Sequence, residues 1–225
     1  MEEEIELCTK LIHPFSMLVI GSSSSGKTTF FYDLIKYYKH LIAGDIEGII
    51  FVYAIWQDEF DEFLDKVNFV KDWNSPLLQP DFMSQHRNRL ILVDDAGRTA
   101  PPKYLLDFFI KYSHHYKYSI CLQCHSPFDT SIADLRLISQ NSHYSLFCSS
   151  KRARDAVMIF AHQVFRNQHD WLNTFKDLLQ YTANIKFARF LVDTHPHQTC
   201  QRATLRMNLF YPHKGDEPLS IFFPK

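Results

Sequence analysis

The sequence predicts an α/β chain built on a mainly parallel sheet. Two observations carry this. Short apolar runs rich in β-branched and aromatic residues alternate with longer stretches whose apolar residues recur at helical spacing. The first such run, residues 15–20, leads directly into Gly21-Ser22-Ser23-Ser24-Ser25-Gly26-Lys27-Thr28, and a helical stretch over 29–41 follows, with Phe30, Phe31, Leu34, Ile35, Tyr38 and Leu41 on one face. Strand, glycine-rich loop and helix in that order let successive backbone N–H groups wrap a phosphate chain.

Each residue type in this loop has its own reason. Gly21 and Gly26 permit backbone angles and close approaches that a side chain blocks. Lys27 supplies a compact positive charge for the β- and γ-phosphates. Thr28 supplies a hydroxyl ligand for Mg²⁺. Ser22, Ser23, Ser24 and Ser25 keep the loop small and polar, and Thr29 continues the polar start of the helix. A flexible Ser/Gly loop would also fit the pattern, but it would not need a strand before it and a helix after it. The loop therefore reads as a P-loop for a nucleoside triphosphate, ATP, with Mg²⁺.

The remaining elements follow in order. Residues 1–13 form a polar lead-in, with one short strand around 5–7, and residues 14–225 form a single domain. Residues 48–53 are a buried strand. Residues 58–70 carry Phe60, Phe63, Leu64, Val67 and Phe69, a spacing that predicts an amphipathic helix. Residues 71–87, interrupted by Pro76 and Pro80, predict an irregular surface loop. Residues 89–95, RLILVDD, predict a buried strand that ends in two carboxylates about 70 residues after the P-loop, the form of a Walker B element. Ligands of parallel sheets bind at the carboxyl ends of the strands. Asp94 is thus placed to hold Mg²⁺, and Asp95 to orient the attacking water. An Asp-rich turn after a strand is the plainer reading, and the P-loop upstream is what favours Walker B.

Residues 102–115 predict a helix and residues 118–124 a strand, with Gln123 near its end as a candidate sensor of the γ-phosphate and water; a satisfied strand-end glutamine is the equal alternative. A short helix within 129–140, a strand at 143–148, a helix at 151–165, a helix at 170–182 and closing strands at 189–193 and 205–210 complete the chain. Lys151, Arg152 and Arg154 at a helix start oppose the macrodipole, which suggests a local role toward an anion, a neighbouring subunit or DNA, set against a merely solvated face.

Composition limits the function classes. The net charge is −1, so nucleic acid would have to be held by a local patch or by a ring of subunits. No apolar run approaches the ~20 residues that span a bilayer. The cysteine count of five, without a leading signal sequence, predicts reduced thiols and an intracellular setting. Cys121 and Cys124 sit three apart on one strand, facing opposite sides. Asp193, His195, His197 and Cys200 offer metal-ligand types without the paired spacing of zinc sites, and solvated or structural histidines are the better reading.

Taken together, GSSSSGKTT, ILVDDAG, HHYKYSICLQC, NSHYSLFCSSKRARD, FLVDTHP and LRMNLFYP resemble the viral genome-packaging ATPases of the FtsK–HerA superfamily, above all the poxvirus-type enzymes and their relatives in Polinton and adintovirus elements. The resemblance runs from about residue 14 to residue 212. It implies a P-loop NTPase of the ASCE/RecA-like kind, a three-layer sandwich. It further implies a homo-oligomeric ring that hydrolyses ATP to move double-stranded DNA into a capsid, in contact with capsid or portal proteins, without a membrane, at a viral assembly site in the host nucleus or cytoplasm or in the virion. Lys27, Asp95 and Gln123 carry over as catalytic residues, and Thr28 and Asp94 as metal ligands. An arginine acting in trans is implied: Arg154 and Arg136 lead, with Arg152 and Arg98 behind them. Many members have Glu where this chain has Asp95, which reaches one methylene less far. No nuclease or winged-helix segment follows, so the expectation is a motor without its own DNA cutting. The rival expectations are a P-loop kinase of a small substrate and an ATP-binding scaffold without turnover.

Overall fold

The computed structural model describes residues 9–149, 154–166, 168–196, 204–214 and 217–222. Nine strands form one sheet in the order β11-β10-β9-β8-β2-β7-β6-β4-β5. The block from β8 to β5 is parallel. It comprises β8 (Tyr144–Cys148), β2 (Ser16–Ile20), β7 (Tyr118–Cys124), β6 (Arg89–Asp94), β4 (Gly48–Tyr53) and β5 (Val67–Val70). On the other side β9 (Arg189–Asp193), β10 (Thr204–Met207) and β11 (Ser220–Phe222) continue it antiparallel. β1 (Leu11–Ile12), within the lead-in, pairs with β3 (Ile42–Ala43) in a separate small sheet. The expected strand around 5–7 lies outside the described residues.

The near-continuous apolar runs of the parallel strands follow from burial on both faces. In β2, Met17 and Val19 point into one core and Leu18 and Ile20 into the other. The first core lies under α1 (Lys27–Leu41), through Phe30, Phe31, Leu34 and Ile35. The second lies under the helical run from α3 (Tyr104–Asp107) through a wide π turn (Phe108–Tyr112) to α4 (Ser113–Tyr116), together with α5 (Leu135–Gln140), α6 (Arg154–Val164) and α7 (His169–Thr182). Two helical layers around one sheet make the three-layer sandwich.

Two stretches differ from expectation. Residues 58–70 are not one amphipathic helix. A 3₁₀ segment (Asp58–Phe63) is followed by strand β5, which pairs with β4 so that Phe51 lies opposite Phe69. Phe60 keeps its predicted burial and stacks on Phe69 at 5.1 Å. Residues 71–87 do not form a surface loop. Trp73, Leu78 and Met83 are buried in the second core, and α2 (Pro80–Gln85) forms behind Pro80, which suits the first turn of a helix. Trp73 Nε1 donates to the Ala96 carbonyl at 3.2 Å, and the Tyr118 hydroxyl donates to the His86 carbonyl at 2.6 Å, so the segment is tied to the turn after β6 at one end and to β7 at the other.

Cys121 and Cys124 face opposite cores, as their spacing requires, and burial pushes the Cys124 thiol up to about 12. Asp193 is committed to a buried ion pair with Arg206, whose Nη1 also donates to the Lys10 carbonyl at 2.9 Å. His195 is buried against His143 and Tyr144, a structural rather than a solvated histidine. His197 and Cys200 lie outside the described residues. No helix among the described residues is long and apolar enough to cross a membrane.

Candidate functional site

The ladder registers bring the ends of three strands into one row. Ile20 of β2 lies opposite Cys124 of β7, and Val93 of β6 lies opposite Leu122 of β7. Gly21, Gln123 and Asp94 are therefore neighbours at the carboxyl edge of the sheet, and the Gly21 N–H donates to the Cys124 carbonyl at 3.1 Å. β7 is the strand between the P-loop strand and the Walker B strand.

The loop itself is shaped by its two glycines. A Cβ on Gly21 would lie 2.4 Å from Ser25 Oγ and 3.0 Å from Cys148 Cβ, so a side chain there would displace Ser25 and crowd β8. Gly26 has φ +91°, a left-handed angle, and a Cβ on it would lie 2.8 Å from the Phe187 ring. From Gly26 the chain turns into α1, whose first-turn N–H groups and dipole point at the cavity formed here. That cavity, about 300 Å³, is lined by Ser23, Ser24, Lys27, Thr28, Gln123 and Asp95, with Gly26, Thr29, His125 and Phe187 around them.

Lys27 is buried and its ammonium folds back on the loop, donating to the Gly21 carbonyl at 2.9 Å and the Ser22 carbonyl at 3.0 Å. These are exchangeable partners: a phosphate oxygen in the cavity is a stronger acceptor than a neutral carbonyl. Thr28 Oγ1 donates to Asp94 Oδ1 at 3.0 Å, which spends its proton and leaves oxygen lone pairs for a cation. Gln57 Nε2 stands 3.5 Å from Asp94 Oδ2, and the Tyr32 hydroxyl donates to Gln57 Oε1 at 3.0 Å.

Asp94 is 3 % exposed. Burial pushes its carboxyl up to about 6, with the Asp95 charge adding to the rise and Thr28, Lys27 and Gln123 opposing it. Gln123 lies near enough to favour the ionised carboxylate, yet neither Oε1 nor Nε2 reaches hydrogen-bond geometry with any partner among the described residues. A buried amide with both ends unmet is costly unless a ligand or water satisfies it. Its position in the cavity wall beside Asp94 suits that purpose. Asp95 is exposed at the rim with φ 52°, a left-handed angle that Asp and Asn tolerate better than most residues.

Neither a protein-family model nor a curated protein sequence matches the chain. Solved structures do. The genome packaging NTPase B204 of Sulfolobus turreted icosahedral virus 2, in complex with AMP, superposes with a TM-score of 0.51 at 11% identity, over 80% of this chain and 93% of that one. The KaiC-like protein PH0186 of Pyrococcus horikoshii OT3 superposes with a TM-score of 0.44 at 11% identity, over 93% of this chain and 90% of that one. At such identity the likeness to B204 concerns the fold, and the loop and strand order described above agree with it. The chain has the fold of a P-loop NTPase.

Within that fold, the residues singled out in the sequence separate into two groups. Lys27, Thr28, Asp94, Asp95 and Gln123 come together at one end of the sheet. The arginines do not join them: no arginine lines the cavity beside the P-loop among the described residues. Arg154 opens α6 and is exposed, Arg136 is exposed on α5, and Arg98 is paired with Asp129 at 3.1 Å. Arg152, with Lys151, lies outside the described residues. Sequence reasoning missed Gln57, Tyr32, His125 and Phe187. Gln57 and Phe187 sit in loops with no periodicity to mark them, and His125 is signalled only by following the strand that carries Gln123.

Thr28 and Asp94 fit a divalent cation: a buried carboxylate and a hydroxyl converge beside the phosphate cavity. This fit carries a pH dependence. An Asp carboxyl raised from 3.8 to about 6 is still protonated in the folded chain at pH 5, where the unfolded chain has lost that proton. The group's contribution to ligand-free stability is thus greatest below pH 3.8 and disappears as pH rises through about 6. Cation binding runs the other way, because it requires the carboxylate. Calorimetric titration of Mg²⁺-ATP is expected to show affinity rising severalfold between pH 5.5 and 7.5 and then levelling, with an Asp94→Asn variant weak and flat across the range.

Proposed function

We propose that the chain is an ATP-hydrolysing motor subunit that moves double-stranded DNA, of the viral genome-packaging kind, and that it works in a homo-oligomeric ring against capsid or portal proteins at a site of viral assembly. The observation that carries hydrolysis is Gln123: a buried amide on the strand between the P-loop and Walker B strands, beside Asp94 in the cavity wall, with neither polar atom in hydrogen-bond geometry among the described residues. A kinase of a small substrate has no need of a polar sensor at this place, and a non-hydrolysing scaffold has no need of Asp95.

In this reading Lys27 and the α1 N-terminus bind the β- and γ-phosphates. Thr28 and Asp94 hold Mg²⁺, which supplies neutralisation of phosphate charge when bound. Gln123 and Asp95 orient a water in line with the γ-phosphorus, and Asp95 accepts its proton. The shorter Asp95 side chain starts from an exposed rim position, and its left-handed backbone sets the direction of its reach. Completion by an arginine of a neighbouring subunit, with Arg154 the leading candidate, rests on the sequence resemblance. DNA as the cargo rests on the sequence resemblance, with a fold likeness to B204 beside it.

Steady-state ATP hydrolysis with and without duplex DNA, combined with particle size in the same mixtures, tests this reading. Stimulation of phosphate release by duplex DNA in a multi-subunit particle is the expected result. Phosphate transfer to a small acceptor, or ATP binding without release, would favour one of the rivals instead.

A further inference from the structure

The loop after β4 carries a second tie to Asp94 beside the one from Thr28. Tyr53, the last residue of β4, lies opposite Asp94 in the ladder, so residues 54–57 leave the sheet at the carboxyl edge, next to that carboxylate. Trp56 braces this loop, in edge contact with Tyr53 at 5.4 Å, Phe60 at 5.3 Å and Phe69 at 5.3 Å. The Gln57 carbonyl accepts from the Phe60 N–H at 3.0 Å and starts the 3₁₀ segment. Gln57 is thus fixed by the packing of its neighbour and by its own backbone, and its side chain turns toward α1 and β6.

Two contacts orient its amide. The Tyr32 hydroxyl donates to Oε1 at 3.0 Å, and Nε2 then faces Asp94 Oδ2 at 3.5 Å, the long end of a hydrogen bond. The opposite amide orientation would set Oε1 against the carboxylate, which repels once Asp94 is ionised. Tyr32 lies one helical turn after Thr28 on α1, and its ring stacks on Phe63 at 5.6 Å. Each oxygen of Asp94 therefore has its own donor: Thr28 Oγ1 at Oδ1 and Gln57 Nε2 at Oδ2. Donors at both oxygens set the plane of a carboxylate, where a single bond leaves it free to turn. Neither Gln57 nor Tyr32 lines the cavity beside the P-loop, so their reach to a ligand there runs through Asp94.

We propose that Gln57 and Tyr32 are positioning residues for the divalent cation: the Tyr32–Gln57–Asp94 chain sets the carboxylate plane so that the lone pairs left by Thr28 and Gln57 meet the metal that accompanies the triphosphate. This rests on reading Thr28 and Asp94 as the cation's ligands, and the test separates the two. Affinities for Mg²⁺-ATP and for ATP in EDTA are measured by calorimetry with the wild type, Gln57→Met and Tyr32→Phe, beside melting curves. Methionine keeps the length of the side chain and phenylalanine keeps the stack on Phe63, so each change removes polar atoms alone. Gln57→Met is expected to weaken Mg²⁺-ATP by about tenfold, the low end for loss of a bond to a metal ligand, with metal-free ATP unchanged. Tyr32→Phe, one bond further out, should show the same selectivity with a severalfold loss. A merely structural role does not distinguish metal-bound from metal-free nucleotide, so equal weakening of both ligands overturns the proposal, as does no change in either. If Gln57→Met melts below the assay temperature, Tyr32→Phe decides alone by the same criteria. A wild type that binds ATP no better with Mg²⁺ than without it would instead overturn the cation site itself, and the proposal with it.

Discussion

Replacing Lys27 with alanine is expected to lower affinity for Mg²⁺-ATP, and turnover with it, by about 10²–10³-fold, the range for removing one charged or oriented donor from a preorganised site. The cause is electrostatic. Lys27 Nζ is buried and held by two loop carbonyls, Gly21 and Ser22, at the floor of the phosphate cavity. Swinging from those carbonyls to a phosphate conserves hydrogen bonds but replaces neutral acceptors by anionic ones, and the gain in charge pairing is what the alanine variant loses. Alanine suits a helix start, and the ammonium anchors no ion pair among those found in the described residues, so thermal unfolding should move little. A nucleotide titration beside a melting curve checks both halves. A collapse in melting temperature would mean that Lys27 holds the loop rather than the ligand.

Asp95→Asn is expected to bind Mg²⁺-ATP within a few-fold of the wild type yet hydrolyse it about 10²–10⁴-fold more slowly, the range for loss of a general base. Asparagine is the informative substitution for a structural reason: it tolerates the left-handed backbone at this position as aspartate does, so the change removes charge and basicity without adding strain. The exposure of Asp95 also keeps the stability cost small. Asp94→Asn should differ in kind. Asp94 is buried and bonded to Thr28, so its loss is expected to weaken binding as well as hydrolysis. Pre-steady-state binding and single-turnover hydrolysis of the two variants distinguish the roles. Full turnover by Asp95→Asn would remove Asp95 from the mechanism.

The glycine-rich loop and the strand ending in Asp94 and Asp95 were legible in the sequence because their parts are local. A P-loop needs glycines at fixed offsets between a strand and a helix, and a Walker B strand needs an apolar run ending in carboxylates; both patterns lie within about ten residues. The place of Gln123 was legible for the same reason, as a polar residue at the end of an apolar strand. The misread stretches are those whose burial is decided from a distance. Phe60, Phe63, Leu64 and Val67 fit a helical period, but pairing with β4 converts the second half into a strand. Trp73, Leu78 and Met83 have no period at all and are buried because the chain crosses over the second core. The approach of Phe187 to Gly26 was illegible because no sequence pattern shows that β9 runs antiparallel to β8, and only that reversal carries the Phe187 loop to the P-loop.

The central claim is that Lys27, Thr28, Asp94, Asp95 and Gln123 form one hydrolytic ATP site. Its most direct test is phosphate release from Mg²⁺-ATP by the purified wild-type chain, measured alone and with duplex DNA, with Lys27→Ala and Gln123→Ala in parallel. The account predicts Mg²⁺-dependent release that duplex DNA increases, and that both substitutions reduce by at least about 10²-fold. A folded wild-type chain that binds Mg²⁺-ATP but releases no phosphate under either condition would contradict it.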